Sequence, residues 1–193
     1  ELSYPTTDII GESDAMKSLL HQIDKLATGD KSLLLTGESG TGKELIARAI
    51  HQRSKRAQAP LITFNCTAVG GDQQEAELFG YRKGAYASEE GNRRGLVEEA
   101  HGGTLFIDEV GDLTPSAQAR LLHLLDTGES QRIGGLEGRP VDVRLIVSSQ
   151  RNLNHPQGKE NLREDLYFRI KGAELVLPPL RERTEDILPL ANS

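Results

Sequence analysis

The chain has 193 residues, 36% hydrophobic and 27% charged, with 20 glycines and a net charge of −6, a balance that describes one α/β domain with a sizeable core. No apolar run approaches the ~20 residues of a membrane span, no signal peptide is visible, and the acidic balance argues against a general nucleic-acid binder, whose phosphate contacts need a basic face. The single cysteine, Cys66, excludes an internal disulfide, and the five histidines show no ligand spacing with it, so a cytoplasmic protein without structural zinc is expected.

In chain order, Ser13 is placed to cap a helix carrying Met16, Leu19, Leu20, Ile23 and Leu26 on one stripe. Ser32 to Thr36 reads as a buried strand, followed by a glycine-rich turn and a helix repeating Leu45, Ile46, Ala49 and Ile50. Leu61 to Asn65 reads as the second strand. An apolar helix end at Ala76, Leu78 and Phe79 then enters the loop K-G-A-Y-A-S-E-E-G-N-R-R, Lys83 to Arg94, where one aromatic ring stands among small residues and before two acids. Thr104 to Asp108 is the third strand, and Thr114-Pro115 starts a helix that Ala117, Leu121, Leu122 and Leu125 continue inward. Val143 to Ser149 and Ala173 to Leu177 complete five strands. Strands alternating with helices predict a three-layer fold on a mainly parallel sheet, with ligands at the carboxyl ends of the strands. The final P-P-L-R-E-R-T-E-D-I-L-P-L reads as the start of another helical element, so the chain is expected to be a fragment.

The strongest chemical signal is L-L-L-T-G-E-S-G-T-G-K-E, Leu33 to Glu44. A strand, a G-x-x-x-x-G-K loop and a helix make a phosphate cradle: Gly37, Gly40 and Gly42 let backbone N–H groups turn inward. Lys43 and the helix N-terminus supply positive charge. The candidate nucleotide residues are therefore Gly37, Glu38, Ser39, Gly40, Thr41, Gly42, Lys43 and Glu44. A fortuitous glycine turn would not come with both flanking elements. Glu44 stands where many such loops place Ser or Thr to hold magnesium, so metal binding must lean on other groups or on water. The second half is G-G-T-L-F-I-D-E-V-G-D-L, Gly102 to Leu113. Alone, two acids after a strand are more often a solvated strand end. Beside a phosphate loop, Asp108 can hold the water shell of Mg2+ while Glu109 activates an attacking water, which makes ATP and Mg2+ the expected ligands.

With G-E-S-G-T-G-K-E, F-N-C at Phe64 to Cys66, E-L-F-G at Glu77 to Gly80, the D-E strand end, and R-E-D-L-Y-F-R at Arg163 to Arg169, the chain from about Asp8 onward resembles the central AAA+ domain of bacterial enhancer-binding proteins of the nitrogen-regulator type. The resemblance implies an α/β nucleotide-binding subdomain over residues 1–178 and the truncated start of a helical lid over 179–193. It implies that Ile9, Ile10 and Gly11 lie near the adenine, although a strand entering the core explains the two isoleucines as well. It implies that Asn65 restrains Glu109, where bare sequence would read a turn residue, and that Gln150 stands where an asparagine senses the γ-phosphate. Arg163 and Arg169 match arginines that reach the nucleotide of an adjacent copy, the alternative being a solvated helix face paired with Glu164 and Asp165. On the first reading the domain works as a ring of its own copies, or at least as a dimer.

In the resembled family the loop after Lys83 reads G-A-F-T-G-A and engages sigma-54 in RNA polymerase holoenzyme. Here Gly84, Ala85, Tyr86, Ala87, Ser88 and Glu89 stand in its place; Ala87 lacks the hydroxyl, Ser88 carries a Cβ, and Glu89 adds a charge. The leading expectation is therefore an ATP-hydrolysing regulator that activates transcription without sigma-54. The alternatives are a sigma-54-dependent activator with a divergent loop and a nucleotide-gated scaffold that does not turn over. Promoter DNA would be contacted by a domain outside this chain. A cyclic dinucleotide at Arg93 and Arg94 is a further expectation, against the ordinary reading of solvated charge.

Overall fold

The computed structural model describes residues 9–85, 91–151, 153 and 161–192. Helix α1 (Asp14–Ala27) starts at Ser13, whose hydroxyl accepts from the Met16 N–H, and buries Met16, Leu19, Ile23 and Ala27. Strand β1 (Leu33–Thr36) is buried along its length and leads through the glycine loop into α2 (Lys43–Gln52). Next come β2 (Leu61–Asn65), α3 (Gly71–Phe79), the paired stubs β3 (Gly80–Tyr81) and β4 (Arg93–Arg94), and α4 (Leu96–Glu99). Strand β5 (Thr104–Asp108) precedes α5 (Pro115–Thr127), which has Thr114 as cap, proline in its first turn and Gly128 closing it at φ 71°. The chain continues through β6 (Glu129–Gln131), β7 (Gly138–Pro140), β8 (Arg144–Ser149), α6 (Glu164–Ile170), β9 (Ala173–Val176) and α7 (Ile187–Ala191).

The five expected strands form one sheet in the order β2-β5-β8-β1-β9, and every neighbouring pair runs parallel. The sheet is thus wholly parallel rather than mainly so. Its two faces are covered by different helices, and the side chains sort by the period of two that a strand imposes. Leu34, Leu105, Ile107, Leu145 and Val147 join the core under α3 to α6. Leu33, Leu35, Phe106, Ile146 and Leu175 join the core under α1 and α2. Burial on both faces explains why β1, β5 and β8 read as near-continuous apolar runs, whereas the edge strands β2 and β9 keep exposed positions.

Two short hairpins, β3–β4 and β6–β7, interrupt the helical layer and lean on each other: Arg82 N–H donates to Ile133 O at 2.9 Å, and Ile133 N–H to Gly80 O at 2.9 Å. At the start of β8 the buried Arg144 donates to Leu26 O and Ala27 O, each at 2.7 Å, which closes the C-terminus of α1 with a cation. Residues 180–192, read as a helical element, are two 3-10 turns and α7. They are pinned to the start of α1 by the fully buried Asp186, which accepts from Glu12 N–H at 2.6 Å, Ser13 N–H at 2.8 Å and the Ser13 hydroxyl at 2.8 Å.

Candidate nucleotide site

The glycine loop sits at the carboxyl end of β1, between the ends of β8 and β9. Gly40 and Gly42 hold φ of 79° and 95°, a region where a side chain is strained. At Gly37 a Cβ would come within 2.9 Å of Thr41 Oγ1 and 3.0 Å of Leu177 Cβ. Glycine is thus required at these positions for the loop to wrap tightly above α2, whose first-turn N–H groups have no intrahelical acceptor. Lys43, 8% exposed, folds back into the loop and donates to Gly37 O at 2.9 Å and Glu38 O at 3.2 Å. Glu44 points away and pairs with Arg48 at 2.7 Å, so it is not aimed at a metal. Glu38 is gripped by both nitrogens of Arg181, each at 2.7 Å, and that guanidinium holds its carboxyl below the usual range.

The acids come from β5. Parallel register sets Asn65 opposite Asp108, and the Asn65 amide donates to Asp108 Oδ2 at 3.3 Å. Glu109 is the non-glycine residue with positive φ among the described residues, at φ 57° and ψ 57°. This left-handed turn swings its carboxylate over the glycine loop: Oε2 accepts from the Gln150 N–H at 2.9 Å and Oε1 lies 3.5 Å from Lys43 Nζ. The expected contact between Asn65 and Glu109 is not made here. Asn65 bonds the other acid, and its Oδ1 accepts from Thr67 N–H at 2.9 Å and Thr67 Oγ1 at 2.7 Å; register holds it on Asp108 while Glu109 turns toward β1. Gln150 joins the site through its backbone N–H and lines, with Gly37 and Glu38, a cavity of about 340 Å³.

Ile9 and Ile10 do not enter a strand. With Met16, Leu45, Ile46 and Leu190 they line an apolar cavity of about 280 Å³ next to the glycine loop, as a planar base would require. Arg183 closes it, donating to Thr41 O at 3.2 Å and to the Met16 sulfur at 3.2 Å. Gly11 lies just outside, where a Cβ would meet Met16 Cβ at 2.7 Å. Sequence reasoning missed Arg183 and Met16, and also Ser148, which is fully buried beneath the acids. The Ser148 hydroxyl donates to Asp108 Oδ1 and accepts from Glu109 N–H at 3.0 Å. Cys66, in the F-N-C stretch, is buried, and burial together with the charges of Asp112, Asp108 and Glu109 pushes its thiol up to about 12, which makes it inert as a nucleophile.

Lys43, Asp108, Glu109 and Asn65 thus converge, whereas Arg163 and Arg169 do not join them. Arg163 caps α6 and Arg169 lies in its last turn, across the sheet from α2; Arg163 pairs with Asp165 at 2.8 Å and Arg169 with Asp126 at 3.2 Å. Of the candidate partner loop, Gly84 and Ala85 lie at the end of the β3 stem, with Gly84 at φ 85°; Tyr86, Ala87, Ser88 and Glu89 lie outside the described residues. Arg93 and Arg94 face acids of their own chain, Glu77 at 2.8 Å and Glu98 at 3.7 Å, an arrangement that lends no support to a cyclic dinucleotide. The donor set fits magnesium held through water, because Asp108 offers a carboxylate at the end of β5, in the same cluster as Glu109 and Lys43, and Mg2+ keeps most of its water shell.

A phosphate loop on β1, between β8 and β9, with the paired-acid strand β5 two places away, defines a P-loop nucleoside-triphosphate-binding fold. A family model described as "Sigma-54 interaction domain" matches residues 9–176, and the chain belongs to this family of AAA+ domains. The DNA-binding transcriptional regulator NtrC of Escherichia coli (strain K12) is 47% identical over 191 residues, 99% of this chain and 41% of its own length. The transcriptional regulatory protein XylR of Pseudomonas putida is 50% identical over 178 residues, covering 92% of this chain and 31% of its own. The structure of NtrX from Brucella abortus in complex with ATP superposes with a TM-score of 0.86 at 38% identity, over 95% of this chain and 39% of that one. The chain therefore spans 31% to 41% of the length of these curated relatives. The match spans the loop at 84–89 and favours the alternative of a sigma-54 activator with a divergent loop over the expectation of independence from sigma-54 drawn from Ala87, Ser88 and Glu89. That expectation assumed that Glu89 must be desolvated at a dry apolar contact, and a loop that keeps this carboxylate in water carries no such cost.

Proposed function

We propose that this domain binds and hydrolyses ATP in assemblies of its own copies, and that the cycle activates transcription by sigma-54 RNA polymerase holoenzyme, with promoter DNA contacted by residues outside this chain. The observation that carries the reading is the convergence of Lys43, Asp108 and Glu109 on one glycine loop beside an apolar base pocket. In this reading the loop amides and Lys43 hold the β- and γ-phosphates. Bound magnesium would supply charge neutralisation between those phosphates, held through water by Asp108. Glu109 takes the proton of the attacking water once the phosphates have drawn Lys43 away from it. Asn65 orients Asp108, and the Gln150 N–H steadies Glu109. Arg163 and Arg169, remote from the site of their own chain, are suited to complete a neighbour's, which supports a ring or a dimer.

The test is transcription by full-length protein with separately reconstituted sigma-54 and sigma-70 holoenzymes. ATP-dependent activation with the sigma-54 enzyme is expected, and activation confined to sigma-70 would overturn the proposal. Absence of ATP turnover at any protein concentration would favour the scaffold reading instead.

A further inference from the structure

Strand β8 is buried at every position, yet it ends in two serines, Ser148 and Ser149. Their hydroxyls do different things. Ser149 bonds locally, accepting from Arg151 N–H and donating to Arg151 O, each at 3.1 Å. This is the short-range pairing a serine at a strand end ordinarily makes. Ser148 makes none of those bonds. It reaches across to the neighbouring strand, where its hydroxyl donates to Asp108 Oδ1 and accepts from Glu109 N–H at 3.0 Å.

The sheet dictates the encounter. The β5–β8 ladder ends at Ile107 opposite Val147, so one step further Asp108 faces Ser148. Both carry on the alternation of Phe106 and Ile146, which lie in the core under α1 and α2. Ser148 is therefore the last rung on the face around which the glycine loop wraps.

We propose that Ser148 is a positioning residue that locks Asp108 and Glu109 into one rigid unit for magnesium-dependent nucleotide binding. Its single proton goes to Asp108 and its lone pair to the Glu109 N–H, making a chain from amide to hydroxyl to carboxylate whose members polarise one another. Asn65 holds the other Asp108 oxygen at 3.3 Å. With both oxygens bonded, the carboxylate is held against rotation and keeps lone pairs free on each oxygen. The Glu109 N–H bond meanwhile secures a left-handed backbone that a glutamate adopts only under constraint. This matters here because Glu44 is turned outward to Arg48 and offers the metal no hydroxyl of the kind such loops often supply. The burden of holding the metal falls on Asp108, and hence on what orients it. Partners of this kind, bonded to a metal-holding carboxylate, typically change metal affinity 10- to 100-fold.

The inference rests on the nucleotide site proposed above, and the experiment separates the two. Full-length wild type, Ser148→Ala and Ser148→Thr are titrated with a fluorescent ATP analogue, first in EDTA and then at increasing Mg2+. Thermal melts run alongside. Ser148 is fully buried, and the space left by one hydroxyl is too small to admit a replacement water. Ser148→Ala should keep its affinity in EDTA and need about 10- to 100-fold more Mg2+ to reach the tight-binding state. Ser148→Thr, which restores the hydroxyl, should recover the wild-type Mg2+ dependence. An unchanged Mg2+ midpoint in Ser148→Ala overturns the inference, as does an equal loss of affinity with and without metal, which would mark general distortion. Should Ser148→Ala show no cooperative melt, Ser148→Cys, nearly isosteric and a poor donor, is read by the same criteria. A wild type that binds no ATP analogue refutes the nucleotide site itself, and this inference with it.

Discussion

Glu109 lies 3.5 Å from the Lys43 ammonium, and the two side chains are 15% and 8% exposed. Bound phosphates must take that lysine over. At an effective dielectric of about 20 the gross attraction of the pair is about 5 kcal/mol, much of it already offset by desolvation of both groups. We take about 1–1.5 kcal/mol as the part that opposes nucleotide entry, equivalent to roughly 5- to 10-fold in affinity. Glu109→Gln removes the charge while keeping an oxygen for the Gln150 N–H. The variant should bind ATP about 5- to 10-fold more tightly, yet its turnover should fall about 10²–10⁴-fold through loss of the base. Equilibrium binding of a fluorescent ATP analogue and phosphate release, measured on the same full-length preparation, read the two effects separately. Opposite signs are the signature of a carboxylate that blocks the empty site and serves the filled one. Unchanged or weaker ATP binding by Glu109→Gln would refute the reasoning.

Arg169 supplies two further outcomes. Arg169→Ala should retain nucleotide affinity and lose turnover about 10³-fold or more; mixed with Lys43→Ala, which keeps its arginines, it should regain measurable phosphate release, and failure of the mixture would argue against catalysis between copies. Asp186→Asn should destabilise the domain by about 2–4 kcal/mol, because a buried charge accepting three bonds becomes a neutral amide, and should lower the melting temperature by roughly 5–15 °C. Burial works to raise the Asp186 carboxyl, but the bonds from Ser13 and Glu12 and the charge of Arg183 outweigh it and hold it below its ordinary 3.8. The group therefore stabilises the fold above pH ~4 and loses that contribution as pH falls through its folded value, so the gap in melting temperature between wild type and variant should narrow in acid.

The phosphate loop was legible because it is local: glycines, lysine, strand and helix are contiguous, and each residue type has its own reason to stand where it does. Strands β1, β5 and β8 were legible for a related reason, since burial on both faces leaves an apolar run that composition alone reveals. The short hairpins were not, because β3, β4, β6 and β7 are two or three residues each and a period of two cannot be seen in so few positions. Ile9 and Ile10 could be read as a strand or as a base pocket, and only the return of residues 180–192 onto α1 made the pocket. Asn65 was legible as a site residue but not in its contact, which depends on register. Ser148 carried no signal, since a serine at a strand end is ordinary until its neighbour is known.

The sequence by itself determined the phosphate cradle, the acid pair and the parallel α/β architecture, because those follow from side-chain chemistry and periodicity along a few contiguous residues. Tertiary structure decided which groups touch: Asp108 with Asn65 and Ser148, Glu109 with Lys43 and the Gln150 N–H, and the arginines of α6 with none of these. Such contacts arise from strand order, register and one left-handed residue. These are properties of how distant segments align, and no single segment encodes them.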